Sequence, residues 1–424
     1  MQQANTQTQQ LVGIPASMRY SMANVKSVSA DSSLRRFSSS NGSVFSPTTN
    51  EIRIPVSGSE GFLDACRGYL YFTISNTNTG TSGEGLTLSG DALCWVDSIR
   101  LESQGVLLER LDRAALWNNL KNRWTEGISK SHELNALQGA SGAYSLENDG
   151  EDIAKGASRT FCCKLPMGFL CNHHERALPQ GVQFDIVIRV NPTPEQAFKW
   201  ETDNKFLYEI KNPRFYCPMY RIENRIVMSE YAQVLQEAPI SWTGDSVKTY
   251  IQPLASGAGT TSLQINDRSK SLKALVSAKR TTSELSTHNK SKQADTNITG
   301  ITDVVYQIEG KNFPQDSIQL STTEYARLYE ECRKAMNNTY SHQGSTQVLA
   351  AGFKSGGAQG LIAVDLRHFD DDKLAHVGID TTGGAPNNLQ ITTASSNAAS
   401  DVTTFAVCDC TWSLMANGMI SVDM

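Results

Sequence analysis

The sequence predicts an all-β protein made of two β-sandwiches in tandem, and three observations support this prediction. Apolar and polar side chains alternate over short segments, and clusters of Gly, Pro, Asn and Ser separate these segments. The clearest alternation spans residues 182–190, where every even-numbered residue is apolar. Residues 191–194 contain two prolines, which cannot continue a sheet ladder, yet the strand pattern begins again after them. A chain of 424 residues has room for two such domains.

Composition and charge exclude several classes of protein. Hydrophobic residues make up 39% of the chain, charged residues 19%, and the formal net charge is −5, so the molecule as a whole is not expected to bind polyanions. Residues 1–45 nevertheless carry a small basic excess, because four basic residues stand against Asp31 alone. No apolar run reaches the ~18 residues that a membrane helix needs. Residues 1–5 lack the basic flank and the apolar region of a secretion signal.

The nine cysteines do not have the spacing of a metal site. Cys162 and Cys163 are adjacent, and Cys408 and Cys410 share one face of a predicted strand. We interpret all nine as reduced core residues of a protein made inside a cell.

The first half follows an N-terminal arm, residues 1–48, which is rich in Gln, Ser and Asn and is expected to become ordered only where a neighbour binds it. The predicted strands are residues 51–56, 68–75, 93–102, 106–111, 160–165 and 182–190. Ser103-Gln104-Gly105 predicts a hairpin turn. Asp112 is the predicted N-cap of a helix that runs to Trp124 with an apolar residue at every fourth position. Residues 125–158 are polar without a period and predict a surface insertion.

The second half follows a predicted linker at residues 195–204. Its predicted strands are residues 206–210, 214–216, 221–228, 249–254, 262–265, 272–278, 304–308, 361–366, 389–393, 404–414 and 419–422. A short helix is predicted at residues 229–237, and Ser321 and Glu324 form a capping box that opens a second helix toward residue 336. Residues 280–300 predict another surface insertion. Asn417-Gly418 predicts the last hairpin turn.

Short motifs in both halves resemble one known family. Leu165-Pro166 and Leu178-Pro179 before a closing strand resemble the end of the first jelly roll in the double jelly-roll major capsid proteins of double-stranded DNA viruses. Residues 305–314 resemble a strand-turn element of the same family, in which an aromatic-Gln strand runs through a Gly to an aromatic-Pro turn. Residues 406–424 resemble its closing hairpin. Residues 315–318 depart from the usual Gln-Pro-aliphatic continuation. The resemblance is nearest to the polinton-like virus and virophage lineage.

The resemblance implies two eight-stranded jelly rolls with short accessory helices, placed at residues 49–194 and 205–424. It implies a major capsid protein in which a homotrimer forms a pseudo-hexameric capsomer of an icosahedral shell. Such a protein would be made and assembled inside a host cell and located in the virion. Its partners would be neighbouring capsomers, penton proteins and minor or cement proteins. Apart from the resemblance, the basic excess of the N-terminal arm suits a weak contact with genome or an internal membrane, and the apolar residues Leu11, Val12, Ile14 and Pro15 are candidates to latch onto a neighbouring subunit. The alternative is a disordered tail with no role.

The search for a catalytic or cofactor site predicts neither an enzyme nor a bound cofactor or metal. Residues 172–176 contain His173 and His174, but adjacent residues of a strand point in opposite directions and no further ligand lies at zinc spacing, so we interpret the segment as a polar loop. Asp370-Asp371-Asp372 lacks the alternation and the glycine of a calcium loop and predicts a solvated turn, with an ion bound at a trimer contact as the alternative. The glycines of residues 80–85 and 356–357 lack the Lys-Ser/Thr of a phosphate loop.

Two aromatic-basic clusters and two rival functions complete the interpretation. Phe198-Lys199-Trp200 and Arg214-Phe215-Tyr216 have the residue types that stack on nucleic acid, but ordinary packing is favoured. The main rival is a secreted or surface β-sandwich that binds glycans or mediates adhesion, which would need a secretion signal and exposed aromatic platforms. An enzyme with an accessory β-sandwich is the other rival, and the missing catalytic motif argues against it.

Overall fold

The structure is a computed structural model, and strands dominate it. It describes residues 30–78, 85–127, 130–140, 149–173, 176–199, 207–285, 287, 290–321, 323–336, 346–367 and 377–424. The predicted latch at residues 11–15 and the aspartates at 370–372 lie outside these residues. Within them, no helix has both the length and the apolar character needed to cross a membrane.

In its described residues, the first half contains thirteen strands and one 3-10 turn, Ala65–Arg67. The strands are β1 (Ala30–Ser38), β2 (Val44–Phe45), β3 (Glu51–Ser57), β4 (Phe62–Leu63), β5 (Tyr69–Asn76), β6 (Leu86–Ser89), β7 (Val96–Ser103), β8 (Val106–Asp112), β9 (Asp149–Ile153), β10 (Ser158–Cys163), β11 (Gln183–Val190), β12 (Phe198–Lys199) and β13 (Tyr208–Ile222). One sheet has the order β3-β11-β7-β8. The other has the order β1-β13-β5-β10, with β2 and β4 paired to β13, and a small third sheet has the order β12-β6-β9.

The alternation over residues 182–190 is confirmed. The even-numbered side chains of this segment are buried, whereas Gln183 and Arg189 are exposed. Strand β11 lies between β3 and β7, so that Ile186 is opposite Ile54 on one side and Leu101 on the other. The strand is therefore central to the first core, as its pattern predicts.

The predicted boundary between the halves is wrong. Strand β13 would open the second domain in the predicted layout, but it pairs with β1 and β5 of the first half along most of its length. Residues 195–199 of the predicted linker also belong to the first half, because β12 pairs with β6. The first sandwich therefore extends to Ile222. The arm is also shorter than predicted, because its residues 30–38 form the edge strand β1, which pairs with β13.

The part of the second half that the structure describes contains nine strands in two sheets. The strands are β14 (Ile240–Leu254), β15 (Gly259–Ile265), β16 (Leu272–Thr281), β17 (Ile301–Ile308), β18 (Lys311–Gln319), β19 (Ile362–Asp365), β20 (Asn387–Thr393), β21 (Ser400–Leu414) and β22 (Ile420–Asp423). One sheet has the order β14-β21-β16-β19, with β22 paired to β21, and the other has the order β15-β20-β17-β18. The predicted turn at Asn417-Gly418 is confirmed, because Met415 and Met419 close a hairpin between β21 and β22.

The predicted aromatic-Pro turn at Phe313-Pro314 is wrong. These residues lie inside β18, an edge strand, where a proline without an N–H group does not interrupt a central ladder. The chain reverses three residues earlier, at Glu309-Gly310, where both residues have positive φ of 47° and 77°. This reversal is the two-residue hairpin geometry that matches strand twist.

The helices are α1 (Ala114–Thr125), α2 (Ser131–Gln138), α3 (Pro194–Ala197), α4 (Arg225–Glu237), α5 (Thr282–Leu285), α6 (Ala326–Ala335) and α7 (Ala350–Phe353). Helix α1 begins after Arg113, whose φ is 55°, so Asp112 is not its N-cap. Residues 225–228, predicted as strand, form the first turn of α4, which Asn224 caps by accepting from the N–H of Ile226. Ser321 accepts from the N–H of Glu324, but this turn lies before α6 and does not cap it.

The two predicted surface insertions are largely structured. Part of residues 125–158 forms α2 and β9, and β9 pairs with β6. Within residues 280–300, Ser291, Gln293 and Ile298 are each at most 3% exposed. The second insertion is therefore partly buried. It packs against the first half, where the N–H of Gln293 donates to Ser89 Oγ.

Candidate functional site at the junction between the two sandwiches

The two Leu-Pro motifs bound a loop that reaches from the first sandwich to the second. This segment, residues 165–178, is called the junction loop here, and its residues 174 and 175 lie outside the described part of the chain. Its C-terminal end is anchored in the first half, where Leu178 and Leu63 exchange backbone hydrogen bonds of 2.7 and 3.2 Å. Its middle contacts the second half, where the N–H of His173 donates to the carbonyl of Thr243 at 3.0 Å.

Phe169, at the middle of the junction loop, lies in an aromatic cluster shared by both halves. Its ring makes edge-to-face contacts with Phe184 of β11, Trp242 of β14 and Trp412 of β21, with centroid distances of 5.1 to 5.5 Å. Phe169 and Trp412 are completely buried. Aromatic pairs of this geometry stabilise by about 0.5–1.5 kcal/mol each beyond their burial. The cluster therefore joins the two cores into one.

A buried carboxyl group holds the turn that carries Phe169. Glu109, on β8, accepts hydrogen bonds from the backbone N–H groups of Gly168 at 3.0 Å and Phe169 at 2.9 Å. The residue is 2% exposed. Burial raises the pKa of Glu109 to about 8, against the lowering effect of the two backbone hydrogen bonds. The group therefore titrates near neutrality.

A charged cluster lies where the junction loop meets β14 and β21. His173 Nε2 is 2.8 Å from Asp245 Oδ1 and 3.9 Å from Asp409 Oδ1. Lys273 Nζ, from β16, contacts the same two oxygen atoms at 2.7 and 3.3 Å. Burial raises the pKa of Asp245, but the hydrogen bond with His173 and the charge of Lys273 outweigh it, so the pKa lies well below its usual range. The Asp245 carboxylate is thereby kept ionised.

His173 of this cluster belongs to the segment 172–176, which the sequence analysis considered as a metal site. His173, Asp245 and Asp409 have ligand atoms within 4.8 Å of one another, which is close enough for a metal ion. The ammonium group of Lys273 already lies against both carboxylate oxygens, however, and supplies the positive charge that a cation would bring. The arrangement fits an internal ion-pair network better than a metal centre.

A second region of contact involves helix α1 and the buried part of residues 280–300. Trp117 of α1 packs on Phe405 of β21 with a centroid distance of 5.0 Å. The N–H of Gln293 donates to Ser89 Oγ at 2.8 Å, and Thr249 Oγ1 donates to the carbonyl of Asp112 at 2.9 Å. These bonds satisfy polar groups that would otherwise be buried without partners. The two sandwiches therefore pack against each other in this region as well as at the junction loop.

The other candidates from the sequence, which are the aromatic-basic clusters and the glycine segments, do not form a second site within the described residues. Phe198 and Phe215 are buried, as the packing interpretation expects for these two residues, whereas Trp200 lies outside the described residues. Of the glycines in residues 80–85, only Gly85 is described. The N–H of Gly356 donates to Thr299 Oγ1 at 2.9 Å, and the N–H of Gly357 closes a turn after α7 by donating to the carbonyl of Lys354 at 2.9 Å.

Sequence reasoning did not single out Glu109, Lys273, Asp245 or Asp409. One signal was available for Asp409, which stands between Cys408 and Cys410 as the single charged residue of the predicted strand at 404–414. A charged residue inside such a strand needs a partner. The identity of that partner is not readable locally, because Lys273 is more than a hundred positions away in the chain.

Comparisons with known proteins show the fold. No family model matches the chain, and no curated protein matches it. Among solved structures, a chain of the PBCV-1 virus capsid is 9% identical, with 96% of this chain and 99% of that chain covered and a TM-score of 0.66. The Faustovirus major capsid protein is 7% identical, covers 93% of both chains and has a TM-score of 0.65. The mavirus major capsid protein is 12% identical, covers 97% and 94%, and has a TM-score of 0.55.

At these low identities, the likenesses establish the fold of the chain. The chain is all-β, and it folds as the double jelly roll predicted from the sequence, with accessory helices beside the sandwiches. The likeness covers 93–97% of this chain in the three structures, so it takes in both jelly rolls.

Proposed function

We propose that this protein is a viral major capsid protein that tiles an icosahedral shell. The observation that carries the proposal is the coverage of the likeness: 96% of this chain matches 99% of a PBCV-1 capsid chain, with a TM-score of 0.66. A sandwich borrowed for another purpose would match one jelly roll, not both together with their relative placement. The proposed role is structural rather than enzymatic, and no cofactor is assigned to it.

The junction supports this proposal in physical terms. A shell subunit must keep its two jelly rolls in one orientation, because a change of angle at each subunit would accumulate over the shell. The aromatic cluster around Phe169 and the contacts of His173 with Asp245 and Asp409 hold that orientation here. A flexible tether between two sandwiches would suit a binding protein better.

We further propose a homotrimer as the building unit. Three copies of a double jelly roll place six sandwiches around an axis, which approximates a hexagon and tiles a surface. Several large apolar side chains are 45–68% exposed in the isolated subunit and are candidates for burial between subunits; they are Leu34, Val44, Leu107, Leu207, Ile226, Val234 and Ile251. Neighbouring capsomers, penton proteins and minor or cement proteins would be the further partners.

The proposed location is the virion shell, after synthesis and assembly in a host cell. Residues 1–29 precede the edge strand β1 and are placed on the inner side of the shell in this proposal. Their basic residues, Arg19 and Lys26, would give only a weak, salt-sensitive attraction to a genome or an anionic membrane.

Light scattering after size exclusion, followed by negative-stain microscopy, tests the proposal. The expected result is a particle of three times 46.4 kDa that survives dilution, with a hexagonal outline and threefold symmetry. A stable monomer would contradict it. A monomer that binds members of a glycan array would favour the adhesion alternative instead.

A further inference from the structure

One side of the first sandwich presents partly exposed tyrosine and arginine side chains. In β13, Phe215 and Cys217 are buried, so Tyr216 between them points away from the core. The ring of Tyr216 stacks on Tyr69 of β5 with a centroid distance of 5.5 Å and meets Tyr71 edge-on at 5.8 Å. The outer side of the sheet β1-β13-β5-β10, on which these rings lie, is called the tyrosine face here.

The tyrosine face carries polar groups that have no partner in the described part of the chain. Arg36 of β1 lies opposite Tyr216, and Arg214 lies opposite Tyr71. Within the described residues, neither arginine forms an ion pair, and the hydroxyl groups of the three tyrosines form no hydrogen bond. Leu34, on the same side of β1 as Arg36, is 55% exposed. Tyrosine and arginine are enriched among the residues that contribute most to protein–protein binding, so this face has the composition of an interface.

The two halves of the chain are built on the same strand order. The principal sheets are β1-β13-β5-β10 and β3-β11-β7-β8 in the first half, and β14-β21-β16-β19 and β15-β20-β17-β18 in the second. Counted along the eight strands of each half, both halves have one sheet in the order first, eighth, third, sixth and one in the order second, seventh, fourth, fifth. The tyrosine face is therefore the counterpart of the outer side of β14-β21-β16-β19.

Within one chain, the other half of the molecule covers that counterpart. Phe405 of β21 packs on Trp117 of α1 with a centroid distance of 5.0 Å. Thr249 of β14, which lies opposite Phe405, donates to the carbonyl of Asp112 at 2.9 Å. Asp112 ends β8, and α1 follows it. The covering unit is thus the fifth strand of the first half together with the helix that comes after it.

We propose that the tyrosine face binds a second copy of this chain, through the fifth strand of that copy's second half and the helix that follows it, which are β18 and α6. This arrangement repeats between copies the contact that joins the two halves within one copy. The contact is heterologous, and each copy offers both surfaces, so three repeats close a ring. The inference rests on the proposed homotrimer and names the surfaces that form it.

The charge of the partner surface complements the tyrosine face. Asp316 of β18 and Glu324, which lies between β18 and α6, are exposed, and their carboxylates form no ion pair within the described residues. Strand β18 is also an edge strand of its sheet, so a second copy can reach it. Single-stranded nucleic acid suits tyrosine and arginine too, but its bases stack on free ring faces. The rings of Tyr69 and Tyr216 already stack on each other, which favours a protein partner.

Subunit exchange in the full chain tests this contact. Light scattering of the wild type first decides the homotrimer, since a stable monomer would contradict the proposed function and this inference together. Native mass spectrometry then follows exchange between two isotopically labelled preparations of trimer. Arg36→Glu combined with Arg214→Glu should speed exchange by roughly tenfold or more, because two attractive contacts become repulsive. Arg36→Glu alone, at an exposed site of an edge strand, serves if the pair does not fold.

Matched variants separate the interface from a general effect of charge. Adding Asp316→Lys and Glu324→Lys to the double variant should restore slow exchange, because the charges are then swapped rather than lost. Arg189→Glu is the control, since Arg189 is an exposed arginine on the other principal sheet of the same sandwich, and it should leave exchange unchanged.

Three results would overturn the inference while leaving the homotrimer intact. The first is a double variant whose trimers exchange at the wild-type rate. The second is fast exchange that the charge swap does not slow, which would exclude β18 and α6 as the partner surface. The third is binding of an oligothymidine to wild-type trimers that the double variant loses, because the tyrosine face would then be free in the trimer and would bind nucleic acid.

Discussion

Gly168 of the junction loop and Gly244 of β14 lie backbone to backbone, without room for a side chain on either. A Cβ on Gly168 would be 2.0 Å from the carbonyl oxygen of Asp245, and a Cβ on Gly244 would be 2.5 Å from the carbonyl oxygen of Gly168. Neither glycine has a positive φ, so the requirement comes from close approach rather than from backbone conformation. This close contact sets the distance between β14 and the junction loop, which carries Phe169 and lies beside Glu109 and the charged cluster.

Gly168→Ala should push the junction loop away from β14 and so destabilise the contact between the two halves. The new methyl group would meet backbone atoms, which cannot rotate away, so the cost should exceed the ~1–3 kcal/mol that is usual for overpacking. We expect insoluble protein, or soluble protein with a strongly lowered thermal midpoint. Gly259→Ala is the control, because Gly259 has open space around its Cβ position and no positive φ. Equal solubility and midpoints for the two variants would contradict the close contact.

The buried carboxyl group of Glu109 should make stability fall as pH rises. Its folded pKa of about 8 lies above the ordinary value of 4.5, so between these values the folded state holds a proton that the unfolded state has lost. The contribution is fully present below about pH 4.5 and is lost as pH passes through 8. It amounts to roughly a few kcal/mol, at about 1.4 kcal/mol per pKa unit before relaxation.

Glu109→Gln measures this effect, because glutamine keeps the shape and one acceptor but does not titrate. Thermal midpoints of both proteins are compared from pH 5 to pH 9. The wild type should lose stability relative to the variant as pH rises. Parallel curves for the two proteins would show that Glu109 does not titrate in this range.

Lys273→Met should destabilise the second half. Asp409 is 1% exposed and would lose the ammonium group that balances its charge, which typically costs about 3–5 kcal/mol. Lys270→Met is the matched control on the same sequence segment. Lys270 pairs with Asp423, and both side chains are more than half exposed, so its loss should cost less than ~1 kcal/mol. Urea unfolding measures the difference, and similar midpoints would contradict a structural role for Lys273.

Ile186→Asp and Asp185→Asn should differ sharply, although the residues are adjacent. Ile186 is fully buried between β3 and β7, and an unpaired charge there should cost several kcal/mol and give insoluble protein. Asp185 points to the other face and pairs with Arg53 at 2.8 Å in a partly exposed setting, so its neutralisation should be mild. The soluble fraction on expression measures the contrast. Equal yields would mean that the register of β11 is wrong.

Deletion of residues 1–28 should leave trimers intact but weaken shell assembly, if residues 11–15 latch onto a neighbouring subunit. The deletion stops before β1, because removal of residues 30–38 would expose β13 and confuse the result. Deletion of residues 1–10 alone, which are mostly polar, is the control. Microscopy of assembled shells and their heat resistance give the answer. Normal shells from the longer deletion would refute the latch.

Local sequence determined the fold class and many strand positions. The period of two over residues 182–190 requires a strand with one buried face, and Asn417-Gly418 requires a tight hairpin, whatever the rest of the chain does. These features depend on neighbours in sequence, which is why they were predicted correctly. The short Leu-Pro motifs pointed to the junction loop, but not to its role between the two sandwiches.

The tertiary structure decided which strands pair and which charges meet. Strand β13 looks like the start of a second domain, yet it pairs with β5, more than a hundred residues earlier. Likewise, the composition of the polar segment around Gln293 predicts a surface position, but in the fold the N–H of Gln293 donates to Ser89 Oγ of the first half. Hydrogen-bonding edges and buried charges are satisfied by groups at any sequence distance, and local periodicity carries no information about them. The junction, with Glu109, Gly168 and Lys273, therefore exists only in the folded chain.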